Sequence, residues 1–310
     1  MTRGRRKCTL HTFKVYTVHE NGKTMESNTI FITGVSSGIG RGIAEVCVSK
    51  GFKVFGTVRK ETDADRLRAE LGDAFTPLLM DVTSQSDVSK AAEKVSMMLN
   101  GANLAGLVNN AGVSLVGPLL YQPLEDVRTQ LEVNLISPLR VIQAFAPLLG
   151  TDKARRGGPG RIVNISSVGG KMAFPYLGAY AASKHGLEGL SESLRRELLL
   201  YGIDVIVIEP GYVDTPILDK AQAEDYTRYR LTDYASSLES FRTAFIEEGR
   251  KGLAPQRVGE AVFKALTVAS PRSTYPVMRR KFKNWTLPGL MPKRVLDRLV
   301  GKQFGLLPTA

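Results

Sequence analysis

The sequence predicts an α/β fold: a single doubly wound parallel sheet of about seven strands with helices on both faces. Three observations carry this. From Asn28 onward, short β-branched runs alternate with helical stretches. Those runs are apolar throughout rather than at every second residue, as strands buried on both faces must be. A glycine-rich turn follows the first of them. Right-handed crossovers then wind the sheet in two directions and leave ligand sites beyond the carboxyl ends of its strands.

Taken in order, "NTIFIT" (28–33) is the first strand and residues 38–50 the first helix. "KVFGTV" (53–58) and "FTPLLMD" (75–81) are the second and third strands, with helices at 64–71 and 84–99. "LAGLVNN" (104–110) is the fourth, followed by a long helix over 123–149 that should bend near Pro138, since proline lacks the N–H that continues a helix. "RIVNIS" (161–166), a helix over 178–201 and "DVIVIEP" (204–210) come next. A helix at 257–269 leads to "STYPVM" (273–278), the candidate seventh strand.

At 310 residues, 43% hydrophobic and 23% charged, the chain is sized for one large core and is no disordered or fibrous protein. The net charge of +12 is confined to the ends: residues 1–14 carry five cations and no acid, and residues 279–302 carry eight cations against Asp297. The remainder is neutral overall, which argues against a nucleic-acid groove. Residues 1–27 are expected to be a disordered extension, with Met25 an alternative start and a targeting peptide the competing reading. Residues 28–278 form the expected domain, and 279–310 a basic tail. Cys8 and Cys47 sit in unlike settings, so no disulfide is expected and a reducing, cytoplasmic location fits. No run is long and apolar enough for a transmembrane helix, and no metal site is expected.

"TGVSSGIG" (33–40) joins the first strand to the first helix. Gly34, Gly38 and Gly40 let the backbone approach a phosphate, and the helix amino terminus offers free N–H groups to a pyrophosphate. A glycine turn that serves only packing is the bland alternative, but its place after the first strand favours a dinucleotide. The second strand ends "GTVRK", with Val58 where an acid would hold a free ribose and Arg59 and Lys60 following. That pattern suits a 2′-phosphate, so NADP(H) is expected, with NAD(H) the alternative. Asp81, closing the third strand, is placed to accept from the adenine amino group.

In "YAASKHGLEGL", Tyr180 and Lys184 are one turn apart on one helix face. An ammonium beside a phenol favours the phenolate and lowers a pKa that is ordinarily near 10. A tyrosine so tuned can serve as general acid or base on a carbonyl or hydroxyl. "NISSVGG" (164–170) supplies a hydroxyl to accompany it, Ser167 or, in competition, Ser166.

With these motifs in order, together with "NNAG" (109–112), "LEVNL" (131–135) and "PGYVDT" (210–215), the chain resembles the short-chain dehydrogenase/reductase family over residues 28–278, a Rossmann-type fold. It is similar to the hydroxysteroid and retinol dehydrogenase branch. The resemblance implies that Tyr180 is the general acid/base, that Lys184 lowers its pKa and binds the nicotinamide ribose, that Ser167 stabilises the reacting oxygen, and that Asn134 holds a relay water. It also implies cofactor contacts at Ser36, Ser37 and Ile39 in the glycine turn, and at Val82 beside Asp81. Asn110, Ala111 and Gly112 would line the adenosine side, while Pro210, Gly211, Val213 and Thr215 would wall the nicotinamide. Assembly through the helices 123–149 and 178–201, as homodimer or homotetramer, is implied as well.

Residues 216–255 fall where a substrate lid would sit. Their Tyr226, Tyr229, Tyr234, Phe241 and Phe245 either pack among themselves or line an apolar pocket. No clustered cations suggest a phosphorylated substrate, and a lipophilic alcohol or carbonyl of steroid, retinoid or fatty type is expected. The tail 278–308 either lies on a membrane or packs over the pocket or a partner subunit; Pro288 and Pro292, which break any long amphipathic helix, favour packing. The competing readings of the whole are a non-catalytic cofactor-binding regulator or scaffold, and an NAD-dependent dehydrogenase of a small polar alcohol.

Overall fold

A computed structural model describes residues 27–223, 225–279 and 287–308. The expectations for residues 1–26 and for 280–286 of the basic tail lie outside the described residues. Strands β1 (Thr29–Ile32), β2 (Lys53–Val58), β3 (Phe75–Leu79), β4 (Gly106–Asn109), β5 (Arg161–Ile165), β6 (Val205–Pro210) and β7 (Thr274–Val277) form one sheet in the order 3-2-1-4-5-6-7. Every pairing is parallel. The order reverses between β1 and β4, which opens a crevice at their carboxyl ends.

The helices are α1 (Gly38–Ser49), α2 (Glu61–Leu71), α3 (Gln85–Leu99), α4 (Leu124–Leu131), α5 (Ser137–Phe145), α6 (Gly178–Glu197), α7 (Ile217–Ala223), α8 (Ala235–Arg250), α9 (Pro255–Thr267), α10 (Leu287–Leu290) and α11 (Lys293–Phe304). One face of the sheet is covered by α1, α2 and α9, whose Ile43, Cys47, Leu67, Val258 and Val262 join Ile30, Ile32 and Ile208 in a buried core. The other face carries α3 and α5, with Val88, Val95, Ile142 and Phe145 against Phe31, Leu107 and Ile162. Cys47 is a free thiol inside the first core, where burial pushes its pKa up to about 12. A third cluster stands beyond the carboxyl ends of the strands and joins Val116, Tyr176, Tyr229, Leu238 and Phe241 to Phe304 of α11.

The long helix expected over 123–149 is divided differently. Its interruption is a π-helical turn, Glu132–Ile136, one turn before Pro138, between α4 and α5. Pro138 cannot donate to the carbonyl of residue 134, and its ring crowds that carbonyl, so the chain widens ahead of it. The Ser137 N–H reaches back to the Glu132 carbonyl instead. Asn134 sits inside this turn, fully buried. The helix expected to start at 257 begins at Pro255, a residue pre-shaped for a first helical position. The last four residues of the expected helix 178–201 are 3-10.

Among the described residues, no helix is long and apolar enough to cross a membrane.

Candidate active site

The glycine turn is held from several sides. The Asn110 side-chain amide donates to the carbonyls of Thr33 and Gly34, at 2.9 Å each. The Thr33 hydroxyl accepts from the backbone N–H of Asn110 and Ala111, and the Thr57 hydroxyl from that of Gly34. Arg66 of α2 donates to the Ser36 carbonyl at 2.8 Å. Gly38 adopts φ +58°, a conformation that favours glycine. A Cβ on Gly40 would stand 2.2 Å from the Gly34 carbonyl oxygen and 2.3 Å from Asn110 Nδ2, so only glycine lets α1 start this close to the strand.

The amino terminus of α1 has the character of an anion site. Ser37 occupies the N-cap without a side-chain cap hydrogen bond, and the first turn carries no acid. Ile39 turns toward the core. At the end of β2, Val58 is buried while Arg59 and Lys60 are exposed, with no acid in the ribose position. One Asp81 oxygen accepts from the Thr83 N–H (2.9 Å) and hydroxyl (2.7 Å). These bonds, with the Arg59 charge, hold the Asp81 carboxyl below its ordinary range. The neighbouring Val82 carbonyl accepts from Arg140. On the far side, the Thr215 side chain would lie 3.3 Å from a Cβ on Gly38. Val213 pairs with Leu253, and Pro210 ends β6 with Gly211 directly after it. The crevice therefore has an unneutralised helix end, cations at one edge and no ribose acid, which fits a dinucleotide carrying a 2′-phosphate.

A buried polar ladder runs behind it. Asn109 donates to Asn164 in the register-matched position of β5, and Asn164 donates to Ser191 of α6. Asn134 uses its whole side chain: Oδ1 accepts from the Val113 N–H at 2.9 Å, and Nδ2 donates to the Val113 carbonyl (2.9 Å) and to Ser183 Oγ (3.0 Å). That leaves the backbone carbonyl of Asn134, to which Pro138 has no N–H to offer, as the group able to hold a water. Gly112 lies between Asn134 and Lys184, a Cβ there being 3.2 Å from Asn134 Oδ1.

Ser167, Tyr180 and Lys184 converge. The Ser167 hydroxyl accepts from the Gly169 N–H at 3.0 Å and hydrogen-bonds the Tyr180 phenol. Ser166, the competing serine, is turned away toward Gly170 and Glu188. Lys184 is buried and donates to the Ile165 carbonyl at 2.8 Å. The expected lowering of the Tyr180 pKa is not what the chain's own residues produce. Desolvation pushes the phenol above its ordinary value, and the Ser167 hydrogen bond offsets only part of this. The same desolvation drives Lys184 down to about 8, against the pull of Glu188. The lysine charge expected to lower the phenol is not among the causes that set it; burial and the Ser167 hydroxyl are.

The expected lid segment joins an aromatic cluster with the residues before α6 and with the tail. Tyr176, four residues before Tyr180, is buried with φ +65°, rare for a bulky residue. Its hydroxyl bonds Ser237 of α8 at 2.6 Å, and its carbonyl accepts from Gly117. Its ring meets Phe241 at 5.4 Å, and Phe241 meets Phe304 of α11 at 5.4 Å. Three of the four lid arginines are engaged: Arg228 with Asp126, Arg242 with Glu239, Arg250 with Asp214 and Asp219, while Arg230 is exposed. The lid aromatics thus pack among themselves and with the tail. The sequence reading missed Tyr176, Arg66, Lys171, Glu188 and Glu209. Glu188 alone had a legible signal, its four-residue spacing after Lys184.

A doubly wound sheet with a free helix end at its switch point, and a phenol, hydroxyl and ammonium beyond its strand ends, is the architecture of a nucleotide-dependent oxidoreductase. The chain belongs to the short-chain dehydrogenase family, whose sequence profile matches residues 28–226. It is therefore an NAD(P)-dependent oxidoreductase acting on CH–OH groups. It is 37% identical over 271 residues to the NADPH-dependent 3-dehydrocapnine reductase of Ornithobacterium rhinotracheale, covering 87% of this chain and 95% of that one. It is 32% identical over 283 residues to human retinol dehydrogenase 5, covering 87% of each. A solved short-chain dehydrogenase from Streptomyces avermitilis superposes with a TM-score of 0.70 at 26% identity, over 89% of this chain and 98% of that one.

Proposed function

We propose that this protein is an NADP(H)-dependent reductase or dehydrogenase of a lipophilic ketone or alcohol, with Tyr180 as general acid/base. The observation that carries this reading is the convergence of Ser167, Tyr180 and Lys184, together with an aromatic lid segment in which Arg228, Arg242 and Arg250 are paired. The NADPH-dependent name of the 37% relative and the acid-free, cationic end of β2 both favour NADP(H).

The α1 amino terminus would take the pyrophosphate, Arg59 and Lys60 the 2′-phosphate, and Asp81 the adenine amino group. Lys184, in reach of the Gly112 backbone, would hold the nicotinamide ribose. Thr215 would meet the carboxamide. NADPH when bound supplies the hydride that reaches the carbonyl carbon. The Ser167 hydroxyl donates to the carbonyl oxygen and fixes it beside Tyr180. The Tyr180 O–H releases its proton to that oxygen as charge builds there, and the alcohol forms. Lys184 stabilises the phenolate left behind, and a water held on the Asn134 carbonyl would pass the replacing proton inward. The aromatic lid excludes water and selects an apolar body.

A panel of long-chain ketones, steroids, retinoids and small polar ketones, followed at the nicotinamide absorbance with NADPH and NADH, tests this. Turnover should concentrate on a lipophilic ketone with NADPH. Turnover confined to small polar ketones, or preferring NADH, overturns it.

A further inference from the structure

Arg140 lies on α5 with its side chain only 17% exposed. Its guanidinium reaches two separate parts of the chain. Nη2 pairs with Glu132 Oε1 at 2.7 Å, while Nη1 donates to Ser137 Oγ at 3.1 Å and to the Val82 carbonyl at 3.0 Å. Glu132 precedes Arg140 by eight residues, which in an uninterrupted α-helix would set the two side chains about 80° apart. The π-helical turn Glu132–Ile136 takes up one extra residue between them. The pair therefore stands as if seven apart, about 20° from alignment. The widening ahead of Pro138 thus brings this carboxylate within reach of the arginine.

The Val82 carbonyl shares its peptide with the Thr83 N–H, and that N–H donates to Asp81 Oδ1 at 2.9 Å. A trans peptide is planar with its C=O and N–H pointing opposite ways, so fixing one end aims the other. The Thr83 hydroxyl meets the same Asp81 oxygen at 2.7 Å, and no hydrogen bond reaches Oδ2 among the described residues. The Thr83 N–H is also the largest cause that holds the Asp81 carboxyl below its ordinary range. Glu132 thus holds the guanidinium, the guanidinium holds the peptide, and the peptide holds Oδ1. Oδ2 is left to accept from a ligand.

We propose that Arg140 is a positioning residue for the adenine end of the cofactor, acting through the Val82–Thr83 peptide to hold the Asp81 carboxylate where Oδ2 accepts from the purine 6-amino group. This rests on the placement of the adenine at Asp81 given above. A guanidinium largely removed from water and tied at both terminal nitrogens cannot swing freely, and its charge strengthens the bond to the carbonyl. A carboxylate aimed in advance loses less freedom on binding than one that must first be ordered. The group selected is a purine with an exocyclic amine. Hypoxanthine, with a carbonyl in that place, would turn a lone pair toward Oδ2.

The experiment titrates NADPH and its hypoxanthine analogue, by nicotinamide fluorescence, against the wild type, Arg140→Ala and Arg140→Lys. The wild type should bind NADPH about 10-fold more tightly than the analogue, the worth of a charge-assisted hydrogen bond. Arg140→Ala should weaken NADPH and spare the analogue, which brings the ratio to about twofold. Arg140→Lys keeps the charge but has one nitrogen for acceptors on two elements, and should leave a ratio of about fourfold. It carries the test alone if Arg140→Ala does not fold. A ratio unchanged from the wild type, with both nucleotides weakened equally or not at all, would make Arg140 a structural brace between α5 and the β3–α3 loop, and the proposal would be wrong. The parent reading fails separately: a wild type that does not distinguish the two nucleotides removes the adenine amino group from Asp81, and the proposal goes with it.

Discussion

Lys184 Nζ lies 5.8 Å from the centre of the Tyr180 ring and donates its 2.8 Å hydrogen bond to the Ile165 carbonyl, not to the phenol. The ammonium therefore stands over the ring rather than on the phenolic oxygen, in a place fixed by β5. The hydroxyl that touches the phenol belongs to Ser167. Removing the phenolic oxygen leaves the ring against Gly169, where a Cβ would already stand 3.2 Å from it. Tyr180→Phe should thus fold and keep NADPH affinity within about fivefold, since a single neutral hydrogen bond contributes about 1 kcal/mol. Its carbonyl reduction should fall by about 10²–10⁴-fold, the usual worth of a positioned proton donor. Rate and cofactor titration on one preparation check this; unimpaired turnover refutes the role.

Arg59 is exposed at the end of β2, yet its charge acts on the Asp81 carboxyl at the end of β3. The two residues bracket the edge of the crevice where an adenosine ribose belongs. Arg59→Ala should weaken NADPH binding by about 10-fold or more, the worth of a charge-assisted phosphate contact, and leave NADH nearly unaffected. The loss should shrink as ionic strength rises. Equal losses for both cofactors would remove Arg59 from the 2′-phosphate site.

The sheet was legible because each strand is a short, mostly apolar run between glycine, proline or polar breaks; all seven appear, β2 with the expected bounds and the other six shorter by one to three residues in total. The site was legible where chemistry recurs at fixed spacing, as in Tyr180 and Lys184. What local pattern could not reveal depends on distant neighbours. The position of Asn134 in a π-helical turn follows from Pro138 four residues on, but periodicity alone reads straight through it. The direction of the Tyr180 pKa depends on burial, which spacing does not disclose. Glu209 reads as an acid interrupting an apolar strand, and only the fold brings Lys171, 38 positions earlier in the chain, to it. That the tail packs rather than lies on a membrane is an expectation resting on two prolines, and what the structure adds is the packing of Phe304 in the third cluster.

That packing can be tested. Phe304 ends α11 buried to 7% exposure, its ring edge-on to Phe241, which in turn meets Tyr176, four residues before Tyr180. Elsewhere α11 is held lightly, for Val295 and Leu299 face outward and its cations are exposed. Cutting a buried phenylalanine to alanine costs about 3–5 kcal/mol in a core. Here the loss should appear as local release of α11 and the lid rather than global unfolding, because the cluster stands apart from the two cores that flank the sheet. Phe304→Ala should therefore keep the main melting transition within a few degrees. It should raise KM for a lipophilic ketone by about 10-fold, as expected when an apolar contact surface is lost, and leave a small ketone's kcat/KM nearly unchanged. Backbone hydrogen exchange should quicken in residues 235–250 and 293–304 alone. Equal losses for large and small ketones would mean that the tail supports the reacting groups rather than the pocket for the apolar body.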